Sequence, residues 1–451
     1  MKKRAALLLV GTLVLSTILS ACGNSGNSGN GSSTDKGSGT STASEEQIKL
    51  TFSWWGSETR HEAMQKIVAL YEEENPKVKI EVEYGAWDGW GSKILTQLSG
   101  GTEADIMQVN YNWIHSYGNG KNVFYDMNQL KDNIDLSNWD QQYLGAMTTA
   151  DGQLGAVPWG MTGRVQLENS KLFEDAGLEF PATYQEVISQ GAVIGANNSP
   201  TGQGNKYVLM NVGPESTDLF IAQMLLNKTG KVMQTDGKIN YSVEDVTKVL
   251  ELYKAMEDSG AMPTFQQDNE IQNESNPDWT GGRVGAVYEW TSSLEKYVTS
   301  FMGGEAKDQL TIGAYLSDGN REPVIYVKPN LGYAISKTSR HPEAAADFIN
   351  FMFTNEKAVE AMNTQLGISS NAVTIKYQEG FGMIDGITRE ALDMLASYEQ
   401  VVMDPYFEDG NIRGERYTAI EAFRTGSMNA ATAAKDYVEK QQAALDELYG
   451  L

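Results

Sequence analysis

The stretch from Leu50 to Val109 alternates between two hydrophobic periods, and this alternation constrains the fold more than any other feature of the chain. Apolar residues occupy every second position around Phe52 and again from Val78 onward, a pattern that is typical of strands. Between them, the apolar residues of 64–71 fall at helical spacing. A second helical pattern and a short apolar strand complete the stretch. Strand, helix, strand, helix, strand predicts an α/β fold with a largely parallel sheet.

The rest of the fold must be held together by a hydrophobic core. The chain has 451 residues, of which 41% are hydrophobic, and a single cysteine, Cys22. No disulfide can form within it, and its length predicts two or three domains. With three histidines and one cysteine, a nitrogen and sulfur metal cluster cannot be assembled, although an oxygen-ligand site stays open. We predict no cofactor and no metal.

The N-terminal segment has the pattern of an export signal. Basic residues at positions 2–4 precede an apolar run at 5–21, which is the layout of a cleaved secretory signal. The run ends in Leu-Ser-Ala followed by Cys22, and this spacing resembles the bacterial lipobox, in which the cysteine is lipidated after cleavage. An ordinary signal peptide that contains a cysteine is the alternative. We predict a lipoprotein signal peptide at 1–21 and acylation, for example by palmitate, at Cys22.

The segment 22–46 is rich in Gly, Ser, Asn and Thr and has almost no apolar residue. Such a composition predicts a disordered tether. A lipidated cysteine followed by a tether would hold the folded part at the extracellular face of the cell membrane. The formal net charge of −24 argues against nucleic acid and anionic lipid as partners.

Aromatic residues follow the predicted strands, at the edge of the sheet where ligands of α/β proteins bind. Such residues beside amides and carboxylates suit a sugar, because the apolar face of a pyranose ring packs on an aromatic ring while its hydroxyls need polar partners. Core filling is the alternative for any single tryptophan. The residues that follow the first three strands are Trp54, Trp55, Gly56, Ser57 and Glu58, then Trp87, Asp88, Gly89 and Trp90, then Asn110, Tyr111, Asn112 and Trp113.

Eight segments of the chain carry a family pattern when they are taken together, namely 52–56, 83–90, 101–109, 151–160, 169–173, 176–178, 281–287 and 341–345. They resemble the extracellular solute-binding proteins of carbohydrate ABC importers, the family of maltose-binding protein. The resemblance implies two α/β lobes joined by crossover strands, a ligand cleft between them and closure by a hinge. It also implies a carbohydrate ligand, a permease partner, a monomer and no enzymatic activity.

Applied to this chain, the resemblance places an N-terminal lobe at 47–157 plus 329–370 and a C-terminal lobe at 158–328 plus 371–451. Trp290, at the end of a strand, is the residue that it places beneath the sugar. The full set of predicted ligand-binding residues is Trp54, Trp55, Glu58, Arg60, Trp87, Trp90, Gln108, Asn110, Tyr111, Trp159, Glu289, Trp290, Tyr406 and Arg413.

Other functions remain open from the sequence. A uronic acid ligand would need a local arginine such as Arg60, Arg164 or Arg413. A cleft of acidic character would suit a polyamine, and a peptide is a further alternative. A surface glycoside hydrolase would need two carboxyl groups about 5 to 9.5 Å apart, which counting acidic residues neither provides nor excludes.

Overall fold

The computed structural model describes residues 47–449 except 119, 120, 122, 200, 203 and 269–272. The described residues belong to one compact unit. The predicted signal peptide, Cys22 and the tether lie outside the described residues. Among the residues that are described, no helix is both long enough and apolar enough to cross a bilayer.

One mixed sheet of nine strands runs through the whole unit, in the order β2-β1-β3-β10-β4-β8-β5, with β11 beside β10 and β9 beside β4. A separate hairpin is formed by β6 and β7. The strands are β1 (Ile48–Trp55), β2 (Val78–Gly85), β3 (Ile106–Val109), β4 (Val157–Asn169), β5 (Tyr207–Met210), β6 (Gln234–Thr235), β7 (Lys238–Ile239), β8 (Val284–Trp290), β9 (Leu310–Gly313), β10 (Val324–Ile335) and β11 (Glu399–Val402).

Helices cover the sheet, and many begin at side-chain caps such as the reciprocal box of Thr183 with Glu186. They are α1 (Glu58–Glu74), α2 (Trp90–Gly100), α3 (Tyr111–Gly118), α4 (Gln141–Ala146), α5 (Ser170–Ala176), α6 (Tyr184–Ile194), α7 (Gly213–Thr229), α8 (Val243–Asp258), α9 (Phe265–Asp268), α10 (Pro277–Thr280), α11 (Leu294–Ser300), α12 (Pro342–Thr354), α13 (Glu356–Met362), α14 (Ala372–Gly380), α15 (Gly386–Ala396), α16 (Gly410–Arg424) and α17 (Ala430–Tyr449).

The predicted order β1-α1-β2-α2-β3 is present, and β1 pairs in parallel with both β2 and β3. This agreement has a simple cause. A strand buried on one face needs apolar side chains at every second position, as β2 has at the buried Val78 and Ile80. A helix packed on one face needs them at every third or fourth position. The two periods are therefore legible in the sequence.

The interior divides into two hydrophobic cores, and we call the bodies around them the N-lobe and the C-lobe. The N-lobe core takes its buried side chains from 50–159 and 331–366. The C-lobe core takes them from 165–326 and 391–437. Each core is thus closed by a return of the chain from the other lobe.

Strands β4 and β10 are shared by both lobes and pair with each other between them. At the N-lobe end β10 pairs with β3, and at the C-lobe end β4 pairs with β8 and β9. The β4–β10 register shifts twice between Pro329 and Gly332. The two strands therefore form a continuous connection with one irregular position at its middle.

A third crossing lies at 366–371, where the chain leaves the N-lobe core. Trp159 of β4 accepts hydrogen bonds through its carbonyl from Ser370 N–H (2.7 Å) and Ser369 Oγ (2.9 Å). Helix α14 follows this segment but is still tied to the N-lobe, since Thr374 Oγ1 donates to the carbonyl of Phe353 (2.7 Å). The crossing therefore begins at 366–371 and is completed at α15, which packs on β4 and β9. The predicted lobe boundaries stay predictions.

Candidate functional site

Three tryptophans contact one another at the carboxyl ends of the first three strands, and we call this group the tryptophan platform: Trp55, Trp87 and Trp113. Trp55 ends β1, Trp87 lies in the turn after β2, and Trp113 lies in α3 after β3. The Trp87 and Trp113 rings are nearly parallel, at 7° with 6.1 Å between centroids, and Trp55 lies 5.1 Å from Trp87.

Within the platform, Trp87 is 53% exposed whereas Trp55 and Trp113 are buried. The two buried rings therefore fix the orientation of an exposed one. An aromatic ring held in this way offers a rigid apolar face at low entropic cost to an incoming ligand. Tyr117 extends the group by stacking on Trp113 at 6.2 Å.

A polar group lies where the C-lobe meets α3 of the N-lobe, and we call it the C-lobe wall: Arg164, Glu215, Glu289, Trp290 and Lys328. The Trp290 ring has Lys328 Nζ 4.6 Å and the Arg164 guanidinium carbon 5.0 Å from its centroid. Cations at these distances from an indole face are held by its quadrupole. Trp290 is only 8% exposed, so the wall has a largely buried aromatic centre with charged groups around it.

Hydrogen bonds fix the position of Arg164 within the wall. Its Nη1 donates to the carbonyl of Tyr288 (2.7 Å) and to Ser216 Oγ (2.8 Å), and its Nη2 forms an ion pair with Glu289 (3.3 Å). Glu289 also accepts from the backbone N–H of Trp290 (2.7 Å). Because Arg164 and Glu289 are both buried, their pair orients the end of β8 and hence the Trp290 ring.

Glu215 lies in the first turn of α7 and is open to solvent. Burial alone would raise the pKa of Glu215, but the charges of Arg164, Lys328 and Arg413 and a hydrogen bond from Trp290 outweigh it and lower that pKa. Glu215 is therefore a carboxylate at neutral pH. It is the acceptor that the wall presents toward solvent.

Contacts between the lobes pass through α3 and a short 3₁₀ helix, Pro405–Glu408. Tyr111 of α3 donates its hydroxyl hydrogen to the carbonyl of Asp404 (2.9 Å). Lys328 lies 5.6 Å from the Tyr111 ring and forms an ion pair with Glu408. The wall, the crossing strand β10 and the N-lobe therefore meet at one place.

The structure brings about half of the predicted ligand-binding residues to this boundary between the lobes. Trp55 and Trp87 are in the platform, Glu289 and Trp290 are in the wall, and Tyr111 contacts both the wall and Asp404. Tyr406 and Arg413 belong to the same region. The Tyr406 ring is 6.5 Å from that of His115 in α3, and the charge of Arg413 lowers the pKa of Glu215.

Two predicted tryptophans are placed inside the N-lobe core. Trp54 and Trp159 have no exposed surface. The indole N–H of Trp54 donates to His61 (3.1 Å), and that of Trp159 donates to the carbonyl of Gly367 (3.3 Å). Their arrangement is that of packed core residues, which is the alternative stated from the sequence.

The other predicted residues serve local structure. Arg60 donates to the carbonyls of Trp55 (3.2 Å) and Gln365 (2.8 Å), and burial lowers its pKa. Gln108 is buried and donates to the same Trp55 carbonyl (3.3 Å). The remaining three are Glu58, exposed in the first turn of α1, Trp90, buried beside Lys93, and Asn110, which accepts from the Tyr111 N–H (2.9 Å).

Sequence reasoning did not select Glu215, Lys328 or Glu408. Glu215 shares one signal with the selected residues, because it follows a strand, β5. Lys328 lies within β10, and only the pairing of β10 with β4 shows that it is between the lobes. Among the described residues no group of three or more His, Cys, Asp or Glu is arranged to hold a metal ion.

Solved structures with this architecture are also similar to the chain in sequence. A periplasmic solute-binding protein of Pectobacterium atrosepticum is 25% identical, with a TM-score of 0.80 over 89% of this chain and 99% of that one. A periplasmic oligogalacturonide-binding protein of Yersinia enterocolitica, solved with saturated digalacturonic acid, is 25% identical, with a TM-score of 0.76 over 89% of this chain and 100% of that one.

Sequence comparison gives the same result. A curated relative from Brucella abortus, named as a binding protein, is 23% identical over 222 residues, 49% of this chain and 52% of that protein. The match thus spans about half the length of that relative. Residues 55–359 match the family described as bacterial extracellular solute-binding protein. The predicted two-lobe fold is confirmed, and the chain belongs to the family of bacterial extracellular solute-binding proteins.

Proposed function

We propose that this protein is the lipid-anchored receptor of an ABC importer, and that it binds an oligosaccharide between its lobes without cleaving it. One observation carries the proposal. The exposed ring of Trp87 is stacked on the buried Trp113 in one lobe, and the other lobe has the exposed carboxylate of Glu215 hydrogen-bonded to Trp290, which is itself 8% exposed. This combination matches the apolar face and the hydroxyl edge of a sugar.

The oligogalacturonide-binding protein of Yersinia enterocolitica supports a saccharide ligand, because it has the same fold over nearly all of both chains. Its ligand class does not transfer directly at 25% identity. We therefore base the type of ligand on the platform and the wall, and the comparison only favours carbohydrate over peptide or polyamine.

Capture requires motion of the lobes about their three crossings, β4, β10 and 366–371. We propose lobe boundaries close to 157/158 and 328/329, within β4 and β10, and a third after α14 instead of at 370/371, because Thr374 of α14 is hydrogen-bonded to Phe353 of the N-lobe. A ligand that contacts both lobes stabilises the closed form because it binds that form more tightly. The closed, loaded protein, acting as a monomer, is then the form that the membrane permease recognises.

Location rests on the N-terminal sequence. We propose that Cys22 is acylated after removal of 1–21 and that 22–46 tethers the receptor at the extracellular face of the membrane. A Cys22→Ala variant should leave the membrane fraction for the medium, whereas Ser20→Ala should not. Equal membrane retention of both variants would remove the anchor from the proposal.

The ligand is tested by isothermal titration of the purified protein with neutral di- to tetrasaccharides, uronate oligomers, spermidine and short peptides. Covering about 80 Å² of the Trp87 face contributes about 2 kcal/mol, so Trp87→Ala should weaken sugar binding about 30-fold. Phe381→Ala removes another exposed aromatic side chain and should leave the affinity unchanged.

Two results would contradict the proposal. Binding of spermidine or a peptide with no response to any sugar would assign another solute class. Shortening of an oligosaccharide during incubation, seen by chromatography, would indicate a glycoside hydrolase instead of a receptor.

A further inference from the structure

The charges of the C-lobe wall are not equally accessible. Arg164 and Glu289 form one ion pair, and their side chains are 4% and 9% exposed. Lys328 and Glu408 form a second pair, with both side chains 11% exposed. Each pair contains one positive and one negative charge, so the two pairs together contribute no net charge to the wall.

Glu215 differs from these four groups because it is open to solvent. Its carboxylate receives a hydrogen bond from Trp290 and is stabilised by the charges of Arg164, Lys328 and Arg413. Arg164 is held next to it, because Arg164 Nη1 donates to Ser216 Oγ (2.8 Å). The cations of the wall therefore already stabilise a carboxylate that belongs to the protein. Glu215 is therefore a more accessible charge beside Trp290 than Arg164 or Lys328, whose side chains are 4% and 11% exposed.

We propose that Glu215 determines the ligand class, so that the site accepts uncharged sugars and rejects uronates. This inference rests on the proposed function, since it concerns the same cleft. A sugar hydroxyl can donate to the Glu215 carboxylate, and such a charge-assisted hydrogen bond is stronger than a neutral one. A uronate carboxylate at the same position would face a like charge in a partly desolvated cleft, which is strongly unfavourable.

The alternative interpretation, that the cations of the wall bind a ligand carboxylate, fails on accessibility. Arg164 and Lys328 would have to release Glu215 or their buried partners before binding another anion. Leaving a buried carboxylate without its partner is costly. Arg413 is only partly buried and lies 5.7 Å from the Tyr417 ring, but its charge also acts on Glu215.

The test compares matched ligands, namely di- and trisaccharides of glucose and of galactose against the corresponding glucuronate and galacturonate oligomers. Affinities are measured by isothermal titration at pH 7.5 and moderate salt. For the unmodified protein we expect the neutral member of the productive pair to bind at least about 100-fold more tightly than its uronate.

Glu215→Gln keeps the shape and an acceptor for Trp290 but removes the charge. It should weaken the neutral sugar by about 10-fold or less and reduce the neutral-to-uronate ratio to below about 10. Glu244→Gln is the matched control, because Glu244 also lies in the first turn of a long C-lobe helix with its side chain 75% exposed. It removes one negative charge away from the wall and should leave the ratio unchanged.

The outcomes separate the two levels of the proposal. A uronate oligomer that binds the unmodified protein as tightly as its neutral partner would overturn the role of Glu215 while sugar capture stands. An unchanged ratio in Glu215→Gln, with the urea midpoint also unchanged, would do the same. If no saccharide of either class binds and spermidine does, the proposed function itself is wrong.

Discussion

Gly160 lies where β4 passes the third crossing, and a side chain at this position would collide with backbone. A Cβ at Gly160 would lie 2.1 Å from the carbonyl oxygen of Ile368, whereas ordinary carbon–oxygen contacts are about 3.3 Å. Gly160→Ala must therefore separate β4 from 366–371 by about 1 Å. A rotamer change cannot relieve the contact, because the obstacle is main chain.

This displacement strains the hydrogen bonds that Ser369 and Ser370 donate to the carbonyl of Trp159. Each hydrogen bond contributes about 1 kcal/mol, and overpacking costs about 1–3 kcal/mol. We expect Gly160→Ala to lower the free energy of unfolding by about 3–5 kcal/mol, measured by urea denaturation followed by circular dichroism.

Gly145→Ala is the matched control. A Cβ at Gly145 has no neighbour within 4 Å, and the residue lies inside α4. Alanine is favoured over glycine in a helix, so this variant should be equal to the unmodified protein or more stable by up to about 1 kcal/mol. Equal urea midpoints for Gly160→Ala and Gly145→Ala would refute the close approach at the crossing.

Three further predictions concern buried groups. Trp159→Ala should lower the free energy of unfolding by about 3–5 kcal/mol because the Trp159 ring is fully buried. Trp87→Ala should lower it by less than about 1 kcal/mol in the same urea denaturation series. Similar losses for the two variants would contradict the assignment of Trp159 to the core and of Trp87 to the surface. Arg416→Met leaves Asp218 buried without its partner (Nη2 to Oδ2, 2.7 Å) and should lower the free energy of unfolding by about 3–5 kcal/mol. The double variant with Asp218→Leu should recover most of this loss. No recovery would show that Arg416 acts through other contacts. Burial raises the pKa of Asp404 to about 6 from an ordinary value near 3.8. The native state therefore binds this proton more tightly than the unfolded state, and stability should rise as the pH falls through 6 toward 4, by up to about 3 kcal/mol relative to Asp404→Asn; parallel pH profiles for the two proteins would refute this.

The first half of the N-lobe was predictable because its strands and helices show their own periods. The alternation of side chains along β1 also separates two tryptophans that were both predicted to bind the ligand. Trp54 and Trp55 are neighbours in β1, and neighbouring strand residues point to opposite faces. Only one of the two was therefore able to reach the platform, and Trp54 continues the buried face of Leu50 and Phe52.

The C-lobe wall was not predictable in the same way. Glu215 in the first turn of a helix is equally explained by the helix dipole, and its neighbours Arg164 and Lys328 are distant in sequence. Glycine and proline interrupt the sequences of β4 and β10, as at Pro158 and Pro329, so hydrophobic periodicity does not mark either as one long strand. Their continuity depends on tertiary pairing, which local periodicity does not report.

The pairing of β3 with β10 has a consequence for how the chain acquires its structure. Val109 is opposite Gly332 in the register, so the N-lobe sheet closes a loop of more than 200 residues. Closing such a loop costs entropy before any contact is gained, and folds with many distant contacts form slowly. A chain that emerges from its N-terminus therefore cannot complete this sheet until its last third is present. That delay leaves the N-lobe incompletely folded during synthesis, and a chain that has not yet folded is the form that can be threaded across a membrane.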